Sequence, residues 1–280
     1  CATSSRPLPA MSHPKTVLIT GADRGIGLAI ACRLAAYGWR IALHGLADDA
    51  AREAAMAAVR TAGASEVIFL GGDLRDSTAT QQLAQAALVW HGRIDVLVNN
   101  AGMQYTSPLT EMPAAMWDSI IAVNLSAAFH LMQACLPGML AAGWGRVVNI
   151  ASVHGLVASV NKAPYVASKF GIIGLSRAAA LETAGSGVTV NAICPGWVET
   201  ALIEPQILAR MRELVLEKQP SGQMSQPADI AEAVAMLCGD WAHNLTGVAL
   251  PLDGGWTAQY QPPCRAANLA PDISGIRRLW

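Results

Sequence analysis

The stretch Lys15-Thr16-Val17-Leu18-Ile19-Thr20-Gly21-Ala22-Asp23-Arg24-Gly25-Ile26-Gly27 decides how this chain is read. Residues 15–20 form a short apolar run of strand character, closed by a turn with glycines at 21, 25 and 27. Behind the turn, residues 25–37 keep a helical period until Gly38 stops it. Glycines so placed permit a tight turn and let the backbone approach a pyrophosphate, which then rests on the helix N-terminus. A strand before and a helix after is the context that such a cradle requires. On its own, a glycine-rich turn is also what any tight strand–helix connection looks like.

Outward from this turn, strand-like runs alternate with helical ones. Strands are expected at 40–44, 66–70, 94–99, 146–151, 188–193 and 248–252. Helices are expected at 48–62, 77–90, 165–184 and 227–237, with one or two long helices over 112–142. The strands are unbroken Val/Ile/Leu runs, the mark of a parallel sheet buried on both faces. The expected fold is therefore α/β: a single doubly wound Rossmann-type domain with a parallel seven-stranded sheet flanked by helices. That domain is expected to span residues 14–259. Residues 1–13 read as a flexible leader, with Met11 a candidate start, and residues 260–280 as an irregular tail holding Pro262-Pro263 and Arg277-Arg278.

Composition closes off other classes. With 19 basic and 20 acidic residues among 280, the formal net charge of -1 leaves no electrostatic footprint for nucleic acid or an anionic membrane. A chain 52% hydrophobic and 14% charged is not disordered as a whole. Its richest apolar stretch, 119–136, is interrupted by Asn124, Ser126, His130 and Gln133, so a buried helix is expected there and not a membrane span. The cysteines at 1, 32, 135, 194, 238 and 264 form no CxxC pair, and the first residues lack the layout of a signal peptide. Reduced thiols and a cytoplasmic location are expected. No histidine has HExxH or other ligand-like spacing, so no metal site is expected.

Further marks follow in order: Asn99-Asn100-Ala101-Gly102, then Asn124, Ser152, Tyr165 with Lys169, Pro195-Gly196 and Thr200. Tyr165 and Lys169, four apart, share one face of a helix. A phenol is a poor base at neutral pH, and a neighbouring ammonium is expected to lower its pKa into a useful range. Over about residues 15–258 the chain resembles the short-chain dehydrogenase/reductase family, whose glycine turn is TGxxxGxG. The resemblance implies a catalytic set of Asn124, Ser152, Tyr165 and Lys169: Tyr165 as general acid/base, Ser152 holding the substrate oxygen, Asn124 relaying protons through water to Lys169. It also implies a nicotinamide cofactor held by Gly21, Asp23, Arg24, Gly25, Ile26 and Gly27, by Asp73 and Leu74, by Asn100, Ala101 and Gly102, by Tyr165 and Lys169, and by Pro195, Gly196, Val198 and Thr200. A carboxylate ending the second strand would select NAD. Here that end reads His44-Gly45-Leu46, with Asp48 the first acid, while Arg24 is a cue for NADP.

Within the family, five stretches resemble the bacterial (R)-3-hydroxybutyrate dehydrogenase branch. They are Asn149-Ile150-Ala151-Ser152-Val153-His154-Gly155-Leu156-Val157-Ala158-Ser159, Leu181-Glu182-Thr183-Ala184-Gly185, Ala192-Ile193-Cys194-Pro195-Gly196-Trp197-Val198, Glu217-Lys218-Gln219-Pro220 and Asp253-Gly254-Gly255-Trp256-Thr257. That branch implies NAD in spite of the missing strand acid, with NADP the less favoured cofactor. It implies a substrate carboxylate held by Gln104, His154, Lys162 and Gln206, between walls of Trp197 and Trp256, with Ser152 and Tyr165 at the reacting oxygen. A short buried carboxylate does need a cation and several donors. The expected activity is reversible oxidation of (R)-3-hydroxybutyrate to acetoacetate. The alternatives are an NADPH-dependent ketoreductase of 3-oxoacyl thioesters and a non-catalytic nucleotide-binding scaffold. Expected partners are a small hydroxy or keto acid and further copies of the chain, a homotetramer by resemblance. Two departures stand out: segment 199–219, the expected lid, is shorter than in that branch, and the tail beyond 259 has no counterpart.

Overall fold

In the computed structural model, which describes residues 14–200 and 218–258, seven strands form one sheet. They are β1 (Thr16–Ile19), β2 (Arg40–Gly45), β3 (Glu66–Gly71), β4 (Val96–Asn99), β5 (Gly145–Ile150), β6 (Val188–Pro195) and β7 (Ala249–Leu252). Their order is β3-β2-β1-β4-β5-β6-β7, and every pairing is parallel. The order reverses between β1 and β4, so a crevice opens beyond the carboxyl ends of these two strands. The expected Rossmann-type sheet is the observed one, with strand limits shifted by a residue or two.

The helices are α1 (Gly25–Ala35), α2 (Asp49–Thr61), α3 (Ser77–His91), α4 (Ala114–Ile121), α5 (Ala127–Ala142), α6 (Ala163–Glu182) and α7 (Pro227–Cys238). Val17, Ile19, Ile41 and Leu43 face α1 and α7, where Ile30, Leu34, Ile230 and Val234 complete one core. Leu18, Ala42, Leu97 and Val147 face the other way, against Leu131, Met132 and Met139 of α5. Neighbouring residues of one strand thus serve opposite cores, which is why no alternation shows in the sequence. Truncating a residue such as Leu18 would cost about 2–5 kcal/mol.

The long apolar pattern at 112–142 resolves into α4 and α5 joined by one π-helical turn, Ala122–Ser126, with Asn124 inside it. By length and composition Ala114–Ala142 could cross a membrane, with a mean hydropathy of 1.5. Its residues Leu131, Met132, Cys135 and Met139 instead cover the sheet. The described cysteines, Cys32, Cys135, Cys194 and Cys238, are free thiols, and burial pushes Cys135 and Cys238 up to about 12. Residues 1–13, 201–217 (Gln206 among them) and 259–280 lie outside the described residues.

Candidate active site

At the crevice, β1 and β4 are stitched together by side chains. Thr20 Oγ1 accepts the N–H groups of Asn100 and Ala101, both at 3.0 Å. Asn100 Nδ2 donates to the Thr20 and Gly21 carbonyls, both at 2.9 Å. Gly21 has φ +60°, and a Cβ on Gly27 would collide with the Gly21 carbonyl and the Asn100 amide. Only glycine lets this turn close. Arg24 gives α1 no side-chain cap and no acid stands in its first turn, so the positive end of the helix is left for an anion.

A cleft of about 490 Å³ opens over that end. Of the residues expected there, Gly21, Asp23, Arg24, Gly25 and Ile26 line it from the turn, and Asp73 and Leu74 from the end of β3. Asn100, Ala101 and Gly102 follow β4 into it, and Thr200 closes it from beyond β6. A cradle closed by glycine and an uncapped helix end fit a dinucleotide pyrophosphate. Gly27, Tyr165, Lys169, Pro195, Gly196 and Val198 do not line this cleft. Gly27 packs under the turn, and Val198 pairs with Ser225. Asn100 spends its amide on the turn, so it shapes the cradle.

The four catalytic candidates converge beside this cleft. The π-turn lets Asn124 bracket Met103, accepting its N–H at 2.8 Å and donating to its carbonyl at 2.9 Å. The other amide proton goes to Ser168 Oγ at 3.1 Å. Lys169 Nζ, buried, donates to the Ile150 carbonyl at 2.8 Å and lies 5.5 Å from the Tyr165 ring centroid. Ser152, at the end of β5, accepts the His154 N–H at 3.1 Å and shares a hydrogen bond with the Tyr165 side chain. Asn124 Oδ1 and Lys169 Nζ face the same hollow, 3.6 and 3.7 Å from where a Gly102 Cβ would stand.

The electrostatics correct one expectation. Burial raises the Tyr165 phenol pKa, and the opposing influence is the Ser152 hydrogen bond, not the ammonium. Lys169 is itself brought down to about 8 by burial, with the Cys194 thiol opposing. The reason is geometric: Nζ points its hydrogen bond at Ile150 and stands over the ring, while both groups are cut off from water.

Substrate candidates gather on the far side of Tyr165. The His154 ring meets Trp256 edge-on at 5.6 Å and Tyr165 at 6.3 Å, and Trp197 stacks on Trp256 at 6.0 Å. Asn161, at φ +60°, turns the chain into α6 while its carbonyl accepts the Ser107 N–H at 2.9 Å. Asparagine tolerates that backbone better than most residues. Lys162 follows, half-buried, and burial alone lowers its pKa. His154 is lowered by burial first and by the Lys162 charge second. Gln104 is exposed on the loop after β4.

Three positioning residues escaped the sequence reading. Buried Gln219 accepts the Trp197 N–H at 2.8 Å and donates to the Gln223 carbonyl at 2.7 Å. Asp253 accepts from Gly255 N, Thr257 N and Thr257 Oγ1, holding the turn that carries Trp256. His44 accepts the Gly21 N–H at Nδ1 (3.4 Å) and donates from Nε2 to the Gly72 carbonyl at 2.8 Å. Asp253 before two glycines had a turn signature that could have been read. Gln219 and His44 had no local signal.

Serine, tyrosine and lysine side chains thus gather beside a cleft that opens over the glycine turn, on a doubly wound parallel sheet. The family model described as short chain dehydrogenase matches residues 15–209. The chain belongs to the short-chain dehydrogenase family. It is 44% identical over 261 residues to the D-beta-hydroxybutyrate dehydrogenase of Cupriavidus necator, covering 89% of this chain and 100% of that relative. Over 256 residues it is 43% identical to the enzyme of the same name from Rhizobium meliloti, covering 88% and 99%. The crystal structure of a candidate short-chain alcohol dehydrogenase from Sinorhizobium meliloti superposes with a TM-score of 0.82 at 35% identity, covering 88% of this chain and 97% of that one. As a short-chain dehydrogenase the protein is an oxidoreductase that uses a nicotinamide cofactor.

Proposed function

We propose that this short-chain dehydrogenase interconverts (R)-3-hydroxybutyrate and acetoacetate, with NAD as its cofactor. The observation that carries the reading is a cation without a counterion. Lys162 is half-buried beside His154, and no described carboxylate pairs with it. Such an ammonium is poorly served by its surroundings until an anion arrives. Trp256 meets the His154 ring edge-on and stacks on Trp197, so two indoles stand beside the same histidine, which supports a small substrate. The hydroxybutyrate dehydrogenases at 43–44% identity support the same substrate.

When bound, NAD supplies the hydride acceptor. Tyr165, once it has lost its own phenolic proton, takes the proton of the substrate hydroxyl on Oη. The Ser152 hydrogen bond opposes the burial that disfavours this phenolate, and Ser152 Oγ holds the substrate oxygen in place. Lys169 Nζ, brought to about 8, holds or releases a proton near neutral pH, and the hollow over Gly102 joins it to Asn124 Oδ1. Lys162 and His154 orient the acid so that its hydroxyl meets Tyr165. Exposed Phe129 on α5, with Phe170 and Leu181 on α6, supports the homotetramer of the resemblance, and the free thiols support a cytoplasmic location.

The deciding experiment follows NADH formation with each enantiomer of 3-hydroxybutyrate. Oxidation of the R form alone is the expected result, and no rate with either enantiomer removes the proposal. NADPH-dependent reduction of 3-oxoacyl thioesters draws support from Arg24, 62% exposed at the cleft, and from a 34% identical 3-oxoacyl-[acyl-carrier-protein] reductase of Staphylococcus aureus. It requires a preference for NADPH and a site that admits a longer acyl chain past Trp197 and Trp256.

A further inference from the structure

The end of β2 carries no acid, and Asp48 is committed to capping α2, where it accepts the Ala51 N–H at 2.9 Å. A carboxylate nevertheless stands at that place. Asp23, brought in by the glycine turn, lies so close to Gly45 that a Cβ there would come within 2.8 Å of its Cγ. Any larger residue at 45 would push this carboxylate aside. The Asp23 side chain is only 7% exposed and lines the cofactor cleft.

Its surroundings leave it short of donors. No N–H or O–H among the described residues hydrogen-bonds to it, and Arg24 Nε approaches only to 3.6 Å with most of its own side chain in solvent. The neighbouring groups are engaged elsewhere. His44 is committed at both ring nitrogens, and burial lowers its pKa. Asp73 grips the Arg75 guanidinium through both of its oxygens, at 3.0 and 2.9 Å from Nε. A nearly buried carboxylate without donors is unfavourable until something supplies them. A ribose diol brings two O–H donors, whereas a 2′-phosphate brings only acceptors and negative charge.

We propose that Asp23 is the residue that selects NAD over NADP, accepting the adenosine ribose hydroxyls and repelling a 2′-phosphate. The selecting acid then comes from the glycine turn, through the gap left by Gly45, and not from the strand end. This inference rests on the cleft being the dinucleotide site.

The test is calorimetric titration with ADP-ribose and with 2′-phospho-ADP-ribose, which reads the adenosine end without turnover. Wild-type protein should prefer ADP-ribose by about tenfold or more, and Asp23→Ser should shrink that ratio by a similar factor. The near-isosteric Asp23→Asn, which leaves packing against Gly45 in place, should bind the phosphorylated fragment better than wild type does. If both variants keep the wild-type ratio, Asp23 is not the selector, although the cofactor reading survives. A wild-type preference for the phosphorylated fragment overturns the inference in favour of Arg24. Wild-type protein that binds neither fragment overturns the dinucleotide reading of the cleft itself.

Discussion

At the cofactor end of the crevice, the side chains of Thr20 and Asn100 tie the turns after β1 and β4 together, and Gly27 lets them close. At the substrate end, side chains from well-separated segments converge, and each has its own separate support. Trp197 leans on Gln219, Trp256 on Asp253, and Lys162 on the Asn161 turn. The first region is a short motif that tolerates little change. The second is a set of independent supports, so substrate recognition should be adjustable without disturbing dinucleotide binding.

The sharpest break in that comparison is at Tyr165, where the two regions meet. Tyr165→Phe should lower turnover by about 10²–10⁴-fold. Dinucleotide affinity, measured by titration with NADH, should stay at the wild-type value.

Lys169 sits on the same boundary and sets a pH dependence. Its folded pKa of about 8 lies below the ordinary 10.5, so the unfolded chain holds the extra proton between these values. Burying the ammonium costs about 3 kcal/mol below pH 8, and that penalty fades as pH rises to 10.5. Denaturant melts of Lys169→Met against wild type should therefore show a stability gain for the variant near neutral pH. The bond lost at Ile150 reduces the gain, which should vanish in alkali.

On the substrate side, Lys162→Ala should raise KM for the acid by about 10–100-fold, the range of a lost charge-assisted bond. Saturation kinetics would show it, with NADH binding unmoved. The smallest effect is expected at Gln219→Leu, which strands the Trp197 N–H. It should destabilise the fold by about 1–3 kcal/mol and raise KM several-fold, while ADP-ribose binding is retained. An equal loss of ADP-ribose binding would show that the two regions are coupled after all.

What could be read in advance follows the same division. The sheet was legible because its strands are uninterrupted Val/Ile/Leu runs, and the cradle because glycine spacing is local. The π-turn at Asn124 was hidden, since one wider turn does not disturb the apolar pattern of 112–142. The meeting of Asp23 with Gly45 could not be seen either, because parallel pairing of β1 and β2 brings together residues 22 positions apart in the chain. The direction of the Tyr165 shift was misjudged: helical spacing places Lys169 one turn away but says nothing of burial or of Ile150. Gln219 stood in a stretch that carried the resemblance, but nothing local marked its hold on Trp197, 22 residues away.

The most direct measurement compares kcat/KM for (R)-3-hydroxybutyrate with that for its methyl ester, in wild-type protein and in Lys162→Met. If the unpaired cation beside His154 reads a carboxylate, the wild type should favour the acid by about tenfold or more, and the variant should lose that preference. Equal values in the wild type, or a preference that survives the substitution, would contradict it.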